Sequence, residues 1–231
     1  MIKNSKNILN EKIFLYFGIS TFIYALCIGL IIQFFILETL FNISGGLVVL
    51  DSVGFDAIAK EMSLAIKERG WQVWELRPKH SSPAGIAAIF YTLWTPQPYT
   101  LLPFNALVHA LSGCVVVWIL SNFFSWKPAI IGGAIFVLNP AAMEWVAQIH
   151  RDGLFIFGNL LVLVCIFKFS DGFRSNKGKT MAWGLFWGML GTVIVWVARP
   201  YWVEVISVSI LLWLILFLLI NKFKNIEEYE N

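Results

Sequence analysis

The chain has 231 residues, 58% of them hydrophobic and only 13% charged, where a soluble domain carries about 25% charged residues. That composition, with a mean hydropathy of +0.74, excludes a soluble globular enzyme and points to an all-α, polytopic membrane protein. The net charge of +3 gives no reason to expect a nucleic-acid partner, and the basic residues are better read as topology signals.

Residues 1–12 are polar and carry Lys3, Lys6 and Lys12. Residues 13–38 are apolar and predict a first span, too long for a signal-peptide core, that stays as a membrane anchor. The stretch 39–98 is expected as an outer loop with juxtamembrane helices. Within it, Phe55, Ile58, Ala59, Met62 and Ile66 recur at helical spacing, while Asp56, Lys60, Ser63 and Lys67 fall on another face. The periodicity predicts an amphipathic helix over 53–69, either flat in the interface or packed on the spans. Residues 83–95 are apolar but rise only about 20 Å as a helix, too little to cross, and Pro83, Pro96 and Pro98 bracket them. A juxtamembrane or re-entrant helix is expected there.

Residues 100–124 then cross. Residues 128–147 cross back, with an interruption near Asn139-Pro140, and 152–170 cross again. A polar turn over 171–180 holds Arg174, Lys177 and Lys179, with Lys168 just before it. Residues 181–198 return and 203–221 make the last crossing, for about six spans, each near the roughly 20 residues a bilayer needs. Lysines crowd the side that holds the termini and the 171–180 turn, so the positive-inside rule makes that side cytoplasmic. The expectation is a single multi-pass domain, 1–231, in a bacterial inner or cell membrane, with both termini cytoplasmic. Gly184, Gly188 and Gly191 put small residues on one helix face, a close-packing signal. Cys27, Cys114 and Cys165 lie scattered in apolar runs without metal spacing and read as small buried hydrophobes.

Between two of the apolar runs, "NPAAMEWVAQIHRDG" sets Glu144, His150, Arg151 and Asp152. A charge at mid-bilayer costs about 2.5–3.5 kcal/mol on insertion scales, so such groups are usually paired, wet or functional. The same outer side carries Asp51 after the first span and Arg199-Pro200-Tyr201 with Glu204 between the fifth and sixth. Carboxylates beside arginines at this depth suit a base that activates an acceptor and cations that hold a phosphate leaving group. Each residue also has a plain reading. Asp51 is a favoured helix N-cap, and Asp56 fits a wet helix face. Glu144 and Glu204 fit structural positions, Arg151-Asp152 a local ion pair and Arg199 a snorkelling cation. Asn105 and His109, on one helix face, fit interhelix hydrogen bonds. The tryptophans near span ends fit an interface belt.

Asp51-Ser-Val-Gly-Phe55-Asp-Ala-Ile-Ala59 resembles the "D-x-x-x-aromatic-x-x-x-A" stretch after the first span of GT-C glycosyltransferases, which include the protein O-mannosyltransferases and the aminoarabinose transferases of lipid A. Pro83 opening a helix, and Asn139-Pro140 followed by Asp152, are similar to later features of the same superfamily; the likeness spans roughly residues 13–200. The resemblance implies a polyprenyl-phosphate sugar donor, an acceptor on the outer face and inverting transfer, with Asp51 as general base. It implies that Asp152 orders the acceptor, the phosphate or a metal, and that His150, Arg151 and Arg199 contact the donor phosphate. Tyr201 and Glu204 complete the expected substrate-binding set. A carboxylate pair of this kind is compatible with a divalent cation. Family members usually have more spans and often a C-terminal domain. Two further readings therefore stand beside the transferase: a non-catalytic membrane subunit partnering a larger transferase, and a transporter or flippase for a lipid-linked sugar, for which His109 and Glu38 are the residues to watch.

Overall fold

The computed structural model describes residues 11–43, 46–48 and 50–229, with 221–229 as backbone only. All secondary structure among them is helical. Helix α1 (Glu11–Leu30) continues as a π-helix over Ile31–Leu40; α2 is Leu50–Arg69 and α3 Ser82–Leu93. A 3-10 turn, Pro98–Leu101, leads into α4 (Leu102–Ser121), followed by α5 (Trp126–Val137), α6 (Pro140–Ala147), α7 (Asp152–Arg174), α8 (Gly178–Ala198) and α9 (Trp202–Tyr229).

Among the described residues, five segments are long and apolar enough to cross a membrane: Glu11–Leu40, Pro98–Ser121, Asp152–Arg174, Gly178–Ala198 and Trp202–Ile220. The pair α5–α6, bent by 56°, makes a sixth when counted as one broken span. The protein is a multi-pass helical membrane bundle that associates with the lipid bilayer. Its helices keep large apolar side chains on the outside, such as Ile135, Met189 and Leu211. In hydrocarbon these faces need no protein cover.

The break between α5 and α6 follows from two residues. Pro140 has no N–H, and its ring clashes with the helix carbonyl four residues back. It also pushes the residue before it out of helical geometry, and Asn139 duly has φ −60° and ψ 121°. The Asn139 side chain then caps the new helix by accepting from the Ala141 N–H at 3.1 Å. The Val137 carbonyl left near the break accepts from His109 Nε2 on α4 at 3.0 Å.

The closest seam in the bundle joins α7 to α8. The three glycines singled out in α8 face α7: the position of a Cβ on Gly184 lies 3.0 Å from the Phe169 N, on Gly188 2.8 Å from the Cys165 Cβ, and on Gly191 2.5 Å from the Gly158 carbonyl oxygen. Backbone approach this close needs residues without side chains. Gly191→Leu is expected to force the pair apart and destabilise the protein by about 1–3 kcal/mol, as overpacking does. Thermal unfolding in detergent, against Met189→Leu on the exposed side of α8, checks it.

The segment between the first two spans is a small helical layer. Ala59 and Ile66 are buried in a cluster with Ala84, Ala87, Ala88 and Tyr91 of α3, and Phe55, Ile58 and Met62 pack against it. The apolar stripe of α2 is thus covered by α3. Its polar face is drier than the pattern implies: Ser63 is buried and meets Thr92 at 3.3 Å. Asp56 accepts from the Tyr91 hydroxyl at 2.6 Å and pairs with Lys60 at 2.7 Å. Burial above all, then the hydrogen bond to Asp56, pushes the Tyr91 phenol well above its ordinary value.

The elements exceed the apolar runs at several ends. Helix α2 begins at Leu50 and not at 53, and α7 runs to Arg174. The turn expected over 171–180 is therefore only 175–177, because Gly172 lets the start of α8 fold back against it; a Cβ there would lie 2.8 Å from the Met181 N.

Candidate functional site

The loops that carry the singled-out charges meet at one end of the bundle, and buried polar side chains tie them there. Gln33, in the π-helical end of the first span, donates to the Ala147 carbonyl where α6 ends. Gln148 is buried, accepts from the Val48 N–H at 2.9 Å and donates to the Gly46 carbonyl at 2.8 Å. Ser52, at the start of α2, donates to the Ile149 carbonyl at 3.0 Å. Asn105 of α4 donates to the Val146 and Gln148 carbonyls, both at 3.0 Å. The α8–α9 corner is held from the α2–α3 connection and the start of α3: Arg77 donates to the Trp196 carbonyl and stacks over the Trp196 ring at 4.0 Å, and Ser82 donates to the Val197 carbonyl. Irregular backbone within a membrane persists only where such partners satisfy it.

Gln148 is the keystone of these ties, since its side chain serves the connection ahead of α2 and its carbonyl serves α4. Gln148→Leu would strip the Val48 N–H and the Gly46 carbonyl of their partner, and a buried polar group left so costs about 1–3 kcal/mol. The variant is expected to lower the thermal midpoint and to expose the connection ahead of α2 to protease; limited proteolysis of the two proteins side by side checks it.

Five of the seven candidate residues sit together on this frame, in two tiers. The inner tier is Arg199, Asp152 and His150, with side chains 26%, 19% and 16% exposed. Asp152 is the first residue of α7, where the helix dipole favours a carboxylate. One of its oxygens accepts from Arg199 Nη2. The other lies 3.2 Å from His150 Nδ1, which is also 3.3 Å from the Asp152 N–H. A proton on Nδ1 serves the carboxylate, and a bare Nδ1 serves the amide. Arg199 ends α8, followed by Pro200, and its guanidinium lies 4.8 Å over the Phe155 ring. Its Nε is buried without a hydrogen-bond partner among the described residues.

The outer tier is Asp51 and Arg151, 4.0 Å apart and 59% and 38% exposed. Asp51 lies inside the first turn of α2, beside the helix dipole. At that distance and exposure the pair is worth little. Tyr201 and Glu204 do not join. Tyr201 is exposed and meets Trp202 edge-on at 6.4 Å. Glu204 is exposed in the first turn of α9, without an ion pair among the described residues. Glu144 is exposed as well.

Beneath His150, two neighbouring cavities share His109, Ala142, Trp145 and Gly153. The one of about 20 Å³ reaches Asn105 and His150, and the one of about 150 Å³ reaches Ser112 and Asn139 at the α5–α6 break. The larger one is lined mainly by apolar surface, with His109, Ser112 and Asn139 among its lining residues. As for metal, no three His, Cys, Asp or Glu side chains gather among the described residues.

Sequence reasoning missed Gln33, Gln148, Ser52 and Arg77. Gln33 carried a signal, a lone amide inside an otherwise apolar run. Arg77 carried none, since nothing local says that it reaches across to the end of α8.

No protein family, curated protein or solved structure matches this chain in sequence or structure comparison.

Proposed function

We propose that the protein is a membrane glycosyltransferase that moves a sugar from a polyprenyl-phosphate donor to an acceptor hydroxyl at the outer face of a bacterial membrane, with both termini cytoplasmic. The observation that carries this reading is the gathering of Asp51, Arg151, His150, Asp152 and Arg199 at one end of a helical bundle. Asp51, exposed and loosely paired, takes the acceptor proton. The freed oxygen attacks the anomeric carbon, and the bond from that carbon to the phosphate oxygen breaks with inversion. The leaving polyprenyl phosphate carries the electron pair as negative charge, which Arg151 and Arg199 hold. Asp152 is the counter-ion that keeps Arg199 aimed before the donor arrives.

The test is transfer of radiolabelled sugar from a set of synthetic polyprenyl-phosphate sugars by the purified chain in proteoliposomes. Label released from the lipid only with protein and acceptor present supports the proposal. No release from any donor, by a folded protein, removes it.

A second reading, the non-catalytic subunit of a larger transferase, is favoured by the way Asp152 and Arg199 satisfy each other. Under it the purified chain is inert and co-purifies with a transferase whose activity depends on it.

A further inference from the structure

The opposite end of the bundle has a groove that the proposed chemistry does not use. Its apolar part has a volume of about 470 Å³ and runs along α4 and α7, past Leu111, Val115, Leu161 and Val164. It opens at Trp118 and Lys168 into a wider part of about 610 Å³ with Asn122, Asp171 and Arg174 in its wall. Helices α4 and α7 both start at the Asp152 end, so the apolar part lies toward mid-membrane and the polar part at the far surface. From Leu161 to Arg174 the helix rises about 20 Å, the length of a lipid tail with its headgroup junction.

Neither cation in the wall has a carboxylate partner among the described residues. Lys168 lies 5.1 Å over the Trp118 ring, and Arg174 lies 5.8 Å from the Phe217 ring. Asp171 shares the wall and forms no ion pair with either. An apolar channel that ends at two such cations complements an amphiphile with an anionic head. Basic pockets between transmembrane helices bind such headgroups. A zwitterionic lipid would fill the apolar part equally well, so the cations are what discriminate.

We propose that this groove is a binding site for an anionic glycerophospholipid, with an acyl chain beside Leu161 and Val164 and the phosphate between Lys168 and Arg174. The site stands apart from the glycosyltransferase reading and survives its failure.

The experiment is native mass spectrometry of the full chain in mild detergent, with phosphatidylglycerol and phosphatidylcholine of identical acyl chains in equal amounts. Phosphatidylglycerol is expected to be retained on the order of tenfold more, since each basic residue near a headgroup adds to its affinity. Lys168→Gln with Arg174→Gln is expected to level the two lipids. Lys168→Arg, and Lys177→Gln with Lys179→Gln in the adjacent exposed stretch, are expected to keep the preference. Equal retention by the parent protein overturns the proposal, and that measurement needs no variant to fold. So does a preference that survives loss of Lys168 and Arg174, or one that falls equally with Lys177 and Lys179.

Discussion

Under the proposed glycosyl-transfer reading, Asp51→Asn is expected to leave the protein folded and to slow sugar transfer by roughly 10²- to 10⁴-fold, the usual contribution of a positioned general base. The amide nearly matches the carboxylate in shape but cannot take the acceptor proton. Asp51 is 59% exposed and its one ionic neighbour among the described residues, Arg151, is 4.0 Å away, so the fold has little invested in its charge. The thermal midpoint should stay with the parent's while the rate at saturating donor falls. The apparent affinity for donor should hold, because the cations proposed to receive the phosphate are untouched. Asp51→Glu should recover part of the rate, since it restores a base at a displaced position. An Asp51→Asn protein that turns over at the parent's rate removes this residue as the base.

The spans were legible in the sequence because hydrocarbon asks one simple thing of a helix, about 20 apolar residues with every backbone group satisfied internally. The α5–α6 break was legible for a local reason, the Asn139-Pro140 pair. The short α3 was legible from length alone. The partners of the polar residues were not. His109 and Asn105 fitted interhelix hydrogen bonds, as found, yet the carbonyls they meet are fixed by a break and a loop on other helices. Asp56 looked like a wet residue because its helix face is polar; the Tyr91 hydroxyl that covers it arrives from 35 residues away. Of the candidate site, His150, Arg151 and Asp152 were joined by adjacency. Arg199 and Asp51 joined them through packing, while Tyr201 and Glu204, though near Arg199 in sequence, stayed out because Tyr201, just ahead of α9, and Glu204, in its first turn, are both exposed.

Asp152 should behave unlike Asp51. Asp152→Leu is expected to damage stability as well as rate, because it leaves the Arg199 guanidinium, three-quarters buried, without its carboxylate and His150 without an anion. Breaking a fully buried pair costs about 3–5 kcal/mol; with this exposure, about 2 kcal/mol is the expected loss. Replacing both partners by apolar residues removes the stranded charge, so Asp152→Leu with Arg199→Met should regain most of the thermal stability. The rate separates the two roles that the pair can have. If Arg199 receives the donor phosphate, the double variant is stable and still inactive, with the defect in both donor affinity and turnover. If the pair only fastens α7 to the end of α8, stability and rate return together, and the phosphate site has to lie elsewhere. Arg199→Met alone sharpens the contrast: it strands a carboxylate that sits at a helix N-terminus and is 19% exposed, where backbone dipole and water partly compensate, so it should cost less stability than Asp152→Leu while losing as much transfer.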